Sequence, residues 1–132
     1  MRLHRLPDVL FTDWFDVTAI DILGSVVIAV GFAVFVASLI SFGSSWRIGI
    51  DKKKPGALVT TGIFSVTRNP IFLFLDLYFL GTWLICPNLF FGISALVVIA
   101  GTHWQILQEE EFLGKQYGAE YEEYARKVRR YL

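Results

Sequence analysis

An apolar segment of 24 residues, from 19 to 42, is the feature that most constrains the fold of this chain. Its one charged residue is Asp21, near the start. A helix needs about 20 apolar residues to cross the hydrocarbon core of a bilayer, so the segment is long enough to span one. A cleaved signal peptide is disfavoured, because the run is too long, acidic residues precede it and no small-x-small cleavage site ends it. The segment therefore predicts a first transmembrane helix.

The overall composition also favours a membrane protein. Of 132 residues, 55% are hydrophobic and the mean hydropathy is +0.54, so a soluble fold would expose too much apolar surface. Twelve basic and twelve acidic residues cancel, which removes any electrostatic argument for binding nucleic acid. A single cysteine, Cys86, excludes an internal disulfide, and no metal-ligand spacing occurs. We expect one membrane domain, residues 1–132, without a bound metal.

Two shorter apolar runs, residues 71–86 and 89–104, flank the turn residues Pro87 and Asn88. They predict a helical hairpin with transmembrane helices at residues 70–86 and 89–116, the second of which ends in a polar extension. A run of about 16 residues spans only about 24 Å, so the arms need polar extensions to cross a bilayer, and a shorter re-entrant hairpin is the alternative. Asp76 lies inside the first arm. A carboxyl there is a functional candidate, with a structural aspartate that faces the protein interior as the alternative.

The remaining segments are polar. Residues 1–18 predict a surface segment, residues 43–69 a loop with a charged turn at Lys52 to Lys54, and residues 119–131 an amphipathic surface helix. Gly118 is expected to separate this last helix from the hairpin. The predicted fold is an all-α integral membrane protein with one N-terminal transmembrane helix, a polar loop, a transmembrane helical hairpin and an amphipathic C-terminal helix.

The distribution of basic residues predicts the orientation. The loop 43–69 and the segment from 105 to the C-terminus carry five basic residues each, against two before the first helix. Cytoplasmic segments carry the excess of lysine and arginine, so both are expected to be cytoplasmic in a multi-pass protein.

The start of the hairpin is the best candidate for a functional site. Pro70 is suited to the first helical position, and Asn69 before it can serve as the helix cap. Arg68 then lies at a helix N-terminus, where partial positive charge favours an anionic ligand group. The alternative is that Arg68 only anchors the helix at the lipid headgroups. Gly62, upstream, is expected to supply a backbone angle or a close approach that a larger residue resists.

Hairpin geometry predicts what could join Arg68 and Asn69. Residues whose numbers sum to about 175 should lie level on the two arms, and residues seven apart share a helix face. His103, Glu110 and Glu109 are therefore expected near Arg68, where both signs of charge would suit a zwitterionic ligand. An ordinary interfacial network of ion pairs is an equally good interpretation of the spacing.

The motifs from Leu58 to the C-terminus add a resemblance. They are Leu-Val-Thr-Thr-Gly-Ile-Phe (58–64), Arg-Asn-Pro-Ile-Phe (68–72), Gly-Thr (81–82), Glu-Glu-Glu-Phe-Leu (109–113) and Tyr-Gly-Ala-Glu-Tyr-Glu-Glu-Tyr (117–124). In this order they resemble the isoprenylcysteine carboxyl methyltransferase family and its relatives, the phospholipid methyltransferases. Asn69 and Phe72 stand where the isoprenylcysteine enzymes usually have His and Tyr, and Asn69 is closer to the phospholipid and bacterial-type relatives.

The resemblance implies methyl transfer from S-adenosylmethionine to a lipid-like or hydrophobic acceptor, either a prenyl-cysteine-like carboxylate or a phospholipid-like amine. It implies a cofactor site that includes Arg68, Asn69, Pro70, Phe72, Glu109 and Glu110, to which geometry adds Gly62 and His103. Arg68, His103 and Asp76 are the catalytic candidates, the last two as bases for an amine acceptor. The chain has one helix ahead of the hairpin where relatives often have more, so the acceptor pocket is expected to be either reduced or completed by another subunit, such as a second copy of the chain.

Two other classes of function are alternatives to methyl transfer. One is a non-catalytic membrane protein that binds lipid or acts as a scaffold through its amphipathic tail. The other is a proton-coupled transport subunit organised around Asp76.

Overall fold

The structure, a computed structural model, describes residues 6–43 and 58–132. Within these ranges the chain forms helices and no strand, in agreement with the predicted all-α class. The α-helices are α1, Leu6–Phe11; α2, Thr18–Phe42; α3, Pro70–Ile85; α4, Leu89–Tyr117; and α5, Ala119–Lys127. A short 3₁₀ helix, Gly62–Ser65, lies between α2 and α3. The predicted charged turn at Lys52 to Lys54 lies outside the described residues.

Helices α2 and α3 pack closely because glycines line their contact. Gly24 and Gly31 on α2 are buried, as is Gly81 on α3. A Cβ atom added to Gly24 would lie 2.7 Å from the carbonyl oxygen of Gly81, so the two backbones touch there. Small residues permit this approach, which increases van der Waals contact between helices in a membrane.

The hairpin turn is fixed by the side chain of Asn88. Its Oδ1 atom accepts a hydrogen bond from the Phe91 amide at 3.1 Å, which caps the N-terminus of α4. Its Nδ2 atom donates to Asp13 Oδ1 at 3.1 Å, and the Trp14 amide donates to the Pro87 carbonyl at 2.9 Å. The N-terminal segment therefore lies against the turn, and α2 runs from this end of the molecule to the other.

Side-chain contacts across the hairpin join residues whose numbers sum to slightly more than 175, the sum expected for residues at the same level. Asp76 on α3 contacts Thr102 on α4, and Arg68, just before α3, contacts Glu110; both pairs sum to 178. Helical side chains lean towards the N-terminus of their own helix. On antiparallel helices the two side chains therefore lean in opposite directions, and a residue of α3 contacts a residue of α4 that lies further from the turn than the one at its own level. Glu110 consequently meets Arg68, as expected, although the count placed it level with Ser65.

Helix α5 packs back onto the loop that precedes α3. Tyr121, Tyr124 and Val128 form a buried cluster with Phe64 of the 3₁₀ helix, and the Tyr124 hydroxyl donates to the Phe64 carbonyl at 2.7 Å. Gly118, with a φ of 55°, separates α4 from α5 as predicted. The predicted helix 119–131 is too long, because α5 ends at Lys127 and Val128 has an extended backbone. Its apolar face is covered by the loop.

The outward faces of α2 and α4 are apolar. Exposed residues include Ile22, Val26, Val30 and Ile40 on α2, and Leu96, Val97 and Trp104 on α4. By length and apolar content, α2 and α4 can each cross a membrane, whereas α3 is a shorter apolar helix. Such faces are suited to contact with lipid chains.

Candidate functional site

Gly62 fixes the loop that leads into α3. Its φ is 63°, and a Cβ atom there would lie 2.2 Å from Ser41 Oγ on α2. The adjacent Ile63 amide donates to the same Ser41 oxygen at 3.0 Å. Both reasons given for a glycine at this position, the backbone angle and the close approach, are therefore present. The approach is to α2, and it anchors the loop to the end of that helix.

Pro70 is the first residue of α3, as predicted, and it is buried. Asn69 occupies the N-cap position, but its side chain forms no capping hydrogen bond, which corrects the predicted cap. The Asn69 side-chain nitrogen, Nδ2, donates instead to the carbonyl of Arg130, at 3.0 Å, and to Glu110 Oε1, at 3.4 Å. The amide group is thus used for contacts between distant segments of the chain.

Arg68 and Glu110 form the centre of the site. Arg68 Nη2 lies 3.5 Å from Glu110 Oε1, and the two side chains are only 13% and 12% exposed. Arg68 Nη1 donates to the Tyr121 hydroxyl at 3.3 Å. Its Nε atom is buried and has no hydrogen-bond partner among the described residues. An unused buried donor of this kind is uncommon in proteins, and it is available to an acceptor from a ligand.

Arg130, from the C-terminal tail, completes this cluster. Its Nε and Nη2 atoms bind the Glu110 carboxylate through contacts of 3.0 to 3.2 Å, in a two-pronged geometry that arginine favours. Glu110 therefore interacts with two guanidinium groups. The hydrogen bonds to Glu110 raise the pKa of the Arg130 guanidinium, so this side chain stays charged.

The main chain of the tail is held against the loop before α3. The Arg68 amide donates to the Arg129 carbonyl at 3.0 Å, and Thr67 Oγ1 donates to the Arg130 carbonyl at 3.3 Å. Together with the Asn69 contact, these bonds place the last residues of the chain beside the start of α3. Sequence reasoning missed Arg130, because the assumed helix to residue 131 gave it an exposed position.

A second group of polar side chains lies deeper in the hairpin. Thr102 Oγ1 donates to Asp76 Oδ1 at 2.6 Å. On the neighbouring residue of α4, His103 Nδ1 lies 2.7 Å from the hydroxyl of Tyr131, and the two rings are stacked. Burial raises the pKa of the Tyr131 phenol, with a further rise from the charge of Asp76. Thr102 and Tyr131 were not among the predicted site residues, because a helix continued to residue 131 does not bring Tyr131 to α4.

The two groups meet at the tail. Arg130 binds Glu110 and the next residue, Tyr131, contacts His103, so two adjacent tail residues each reach one cluster. His103 is nevertheless bonded to Tyr131 and not to Glu110, in contrast to the expected grouping. Glu109 accepts a hydrogen bond from Gln105 of the same helix at 3.2 Å, and Phe72 is half-buried on α3. Of the predicted site residues, Arg68, Asn69 and Glu110 are in direct mutual contact.

The model of the phospholipid methyltransferase family matches residues 19–120 of this chain. The chain belongs to that family. Neither the search of curated proteins nor the search of solved structures found a match. The matched range contains Arg68, Asn69, Asp76, His103 and Glu110 but ends before Arg130 and Tyr131.

Membership of this family, together with two helices that can cross a membrane, identifies the protein as a membrane protein of a methyltransferase family with lipid-like substrates. The arrangement of its polar groups agrees with chemistry at a membrane boundary. The Arg68–Glu110 cluster lies at the polar end of the hairpin, while the Asp76–Thr102 contact lies within the apolar helices.

Proposed function

We propose that this phospholipid methyltransferase family member transfers a methyl group from S-adenosylmethionine to a lipid-like acceptor at the membrane surface. The observation that carries the proposal is the convergence of Arg68, Asn69 and Glu110 at the start of α3, inside the family-matched range. Arg68 and Asn69 come from the residues just before α3 and Glu110 from α4, and the carbonyls of Arg129 and Arg130 accept hydrogen bonds from Arg68 and Asn69. In this proposal the protein is multi-pass, with this end of the hairpin in the cytoplasm.

The donor groups in this cluster fit the amino-acid end of S-adenosylmethionine. Its carboxylate needs strong donors, and the buried Nε atom of Arg68 has no hydrogen-bond partner within residues 6–43 and 58–132. The planar guanidinium is suited to a carboxylate, because it offers parallel donors at the spacing of the two oxygens. Asn69 and Glu110 add a neutral and an anionic group beside it. We assign Arg68 to the cofactor carboxylate, and Glu110 to the alignment of Arg68.

When bound, S-adenosylmethionine supplies an electrophilic methyl carbon on a sulfonium. The protein has to align the acceptor with that carbon, and correct alignment of two reactants can contribute about 7 to 11 kcal/mol to catalysis. Gly62 and Ser41 tie the loop before α3 to α2, so the position of Arg68 is fixed relative to the membrane helices. In this proposal the cofactor site therefore has a fixed depth relative to the membrane helices, and the acceptor reaches it from the lipid phase.

An amine acceptor would need a base as well. A protonated amine must lose a proton before it can attack, whereas a carboxylate is already ionised at neutral pH. His103 and Asp76 are the available groups. His103 Nδ1 is held by the Tyr131 hydroxyl, so its other ring nitrogen is the one left to exchange a proton with an acceptor. The Thr102 hydroxyl orients the Asp76 carboxylate in a similar way.

Binding of S-adenosylhomocysteine to the purified protein in detergent tests the proposal. Calorimetry should detect binding to the unaltered chain. Arg68→Lys keeps the charge but replaces the planar guanidinium by an ammonium, which cannot donate two parallel hydrogen bonds to a carboxylate. Loss of one charge-assisted hydrogen bond, worth about 1.5 to 3 kcal/mol, would lower the affinity roughly tenfold to hundredfold. Lys115→Ala is the control, since Lys115 is exposed and pairs only locally, with Glu111. A folded protein that gives no heat would contradict the assignment of the cofactor.

One observation favours the non-catalytic alternative. Arg68, Glu110 and Arg130 already satisfy much of one another's charge, as a purely structural network would. In that case Arg68→Lys would lower the melting temperature, and neither the variant nor the unaltered chain would bind S-adenosylhomocysteine. Measuring both quantities on the same samples separates the two functions.

A further inference from the structure

The C-terminal tail brings a second arginine into the candidate site. We propose that Arg130 is a ligand-binding residue that acts with Arg68 to hold an oxyanion, either the carboxylate of the cofactor or the phosphate of a lipid headgroup. In its carboxylate form the inference rests on the function proposed above. Arg130 lies beyond the residues that the family model matches, so the family match does not assign it a role.

The two guanidinium groups converge on one carboxylate. Arg130 Nη2 lies 3.0 Å from Glu110 Oε2, and Arg68 Nη2 lies 3.5 Å from Glu110 Oε1. Since both arginines bind oxygens of the same residue, their guanidinium groups are close neighbours. Glu110 holds them there against their mutual repulsion.

The balance of charge in this cluster favours an anion. Two arginines against one glutamate leave one net positive charge among these three side chains. Arginine carries five N–H donors and accepts no hydrogen bond, so the pair has more donors than Glu110 has acceptor sites. The Arg68 Nε atom is an example, because it is buried and none of the residues that the structure describes accepts a hydrogen bond from it. A carboxylate or phosphate would supply acceptors and cancel the excess charge.

A cationic ligand group fits the same cluster less well. An ammonium would bring only donors, and it would compete with Arg130 for a carboxylate that already receives contacts from Arg130, Arg68 and Asn69. Glu110 therefore acts on the two arginines as a positioning residue.

Arg130 is also placed where a ligand can reach it. Its side chain is 37% exposed, against 13% for Arg68. The main chain at Arg130 is held independently of the ion pair. Its carbonyl accepts hydrogen bonds from Thr67 and Asn69, and Val128, two residues earlier, is buried. The outer arginine is thus fixed at its backbone and open at its side chain.

The test compares Arg130→Gln with Arg129→Gln. The control removes the same charge from the adjacent residue, whose side chain is exposed. Binding is measured by calorimetry in detergent with three probes: S-adenosylhomocysteine, methylthioadenosine, which lacks the amino-acid group, and dihexanoyl phosphatidic acid, a short-chain lipid with a phosphate and no amine. Melting temperatures show that each variant is folded, and Arg130→Lys serves as a milder second variant.

We expect Arg130→Gln to weaken binding of one oxyanion probe by about tenfold to hundredfold, with Arg129→Gln close to the unaltered protein. A loss for S-adenosylhomocysteine, with methylthioadenosine unaffected, identifies the carboxylate. A loss for the phosphatidic acid identifies the phosphate, and it supports the arginine pair even if no S-adenosylhomocysteine binds and the proposed cofactor is wrong.

Three results would overturn the inference. The first is unchanged affinity for both oxyanion probes in folded Arg130→Gln and Arg130→Lys. The second is tighter binding of S-adenosylhomocysteine in Arg130→Gln, which would make Arg130 a competitor for Glu110. The third is an unaltered protein that binds neither oxyanion probe.

Discussion

Replacing Gly24 by alanine places a methyl group where α2 and α3 leave no room. The added Cβ atom would lie 2.7 Å from the Gly81 carbonyl oxygen and 2.8 Å from Ile85 Cγ1. The first of these neighbours is backbone, so relief of the contact requires the two helices to separate. Overpacking of this kind costs about 1 to 3 kcal/mol. Alanine also favours a helix over glycine by up to about 1 kcal/mol, and that gain opposes the steric cost.

Gly101→Ala is the matched control. Gly101 lies within α4, and a Cβ atom added there meets no atom within 4 Å. Both substitutions change helix propensity in the same way, so the difference between them isolates the contact between α2 and α3. We expect Gly24→Ala to be less stable than Gly101→Ala by about 1 to 3 kcal/mol, measured by equilibrium unfolding in mixed micelles of detergent and SDS. Equal stabilities, within about 0.5 kcal/mol, would refute the close packing.

Three further predictions concern the loop, the buried tyrosine and the orientation. Gly62→Val should lower both the melting temperature and the affinity for S-adenosylhomocysteine, because a side chain there meets Ser41; unchanged affinity in a folded variant would show that the loop does not shape the site. Burial raises the pKa of Tyr124 to about 12, from about 10 when unfolded. Stability from its neutral phenol should be complete below pH about 10 and decline towards pH about 12, so the difference in melting temperature from Tyr124→Phe should shrink on raising the pH; a constant difference would contradict the assignment. With Cys86 replaced, single cysteines at Lys53 and Glu122 should both react from the cytoplasmic side, and reaction of either one from the other side would overturn the proposed topology.

Local sequence signals predicted the elements because local physics determines them. The length of the apolar run at 19–42 is sufficient for a long helix whatever packs against it, and α2 covers Thr18–Phe42. Pro70 begins α3 because it lacks the amide that a first-turn residue cannot use. The break at Gly118 follows from a positive φ that other residues resist.

The site was only partly predictable, because several of its contacts join segments that are distant in the sequence. Arg68, Asn69 and Glu110 were anticipated from helix geometry, and they do meet. The role of Asn69 was not, since a good N-cap residue instead donates to the Arg130 carbonyl, 61 residues further along the chain.

The C-terminal tail shows the same limit more strongly. Helical spacing of aromatic residues was continued to residue 131, but the helix ends at Lys127. Arg130 and Tyr131 then turn towards the loop before α3 and the middle of α4. A periodic sequence pattern does not predict such a turn, because individual hydrogen bonds hold the tail and no helix face repeats along it.

Methyl transfer itself is the most direct measurement of the central claim. Purified protein would be incubated with methyl-labelled S-adenosylmethionine, a total membrane lipid extract and a prenyl-cysteine analogue, and the labelled product identified. The proposal predicts label in a lipid-like product, with a strong decrease for Arg68→Lys and none for Lys115→Ala. No incorporation by a folded protein that also fails to bind S-adenosylhomocysteine would contradict it.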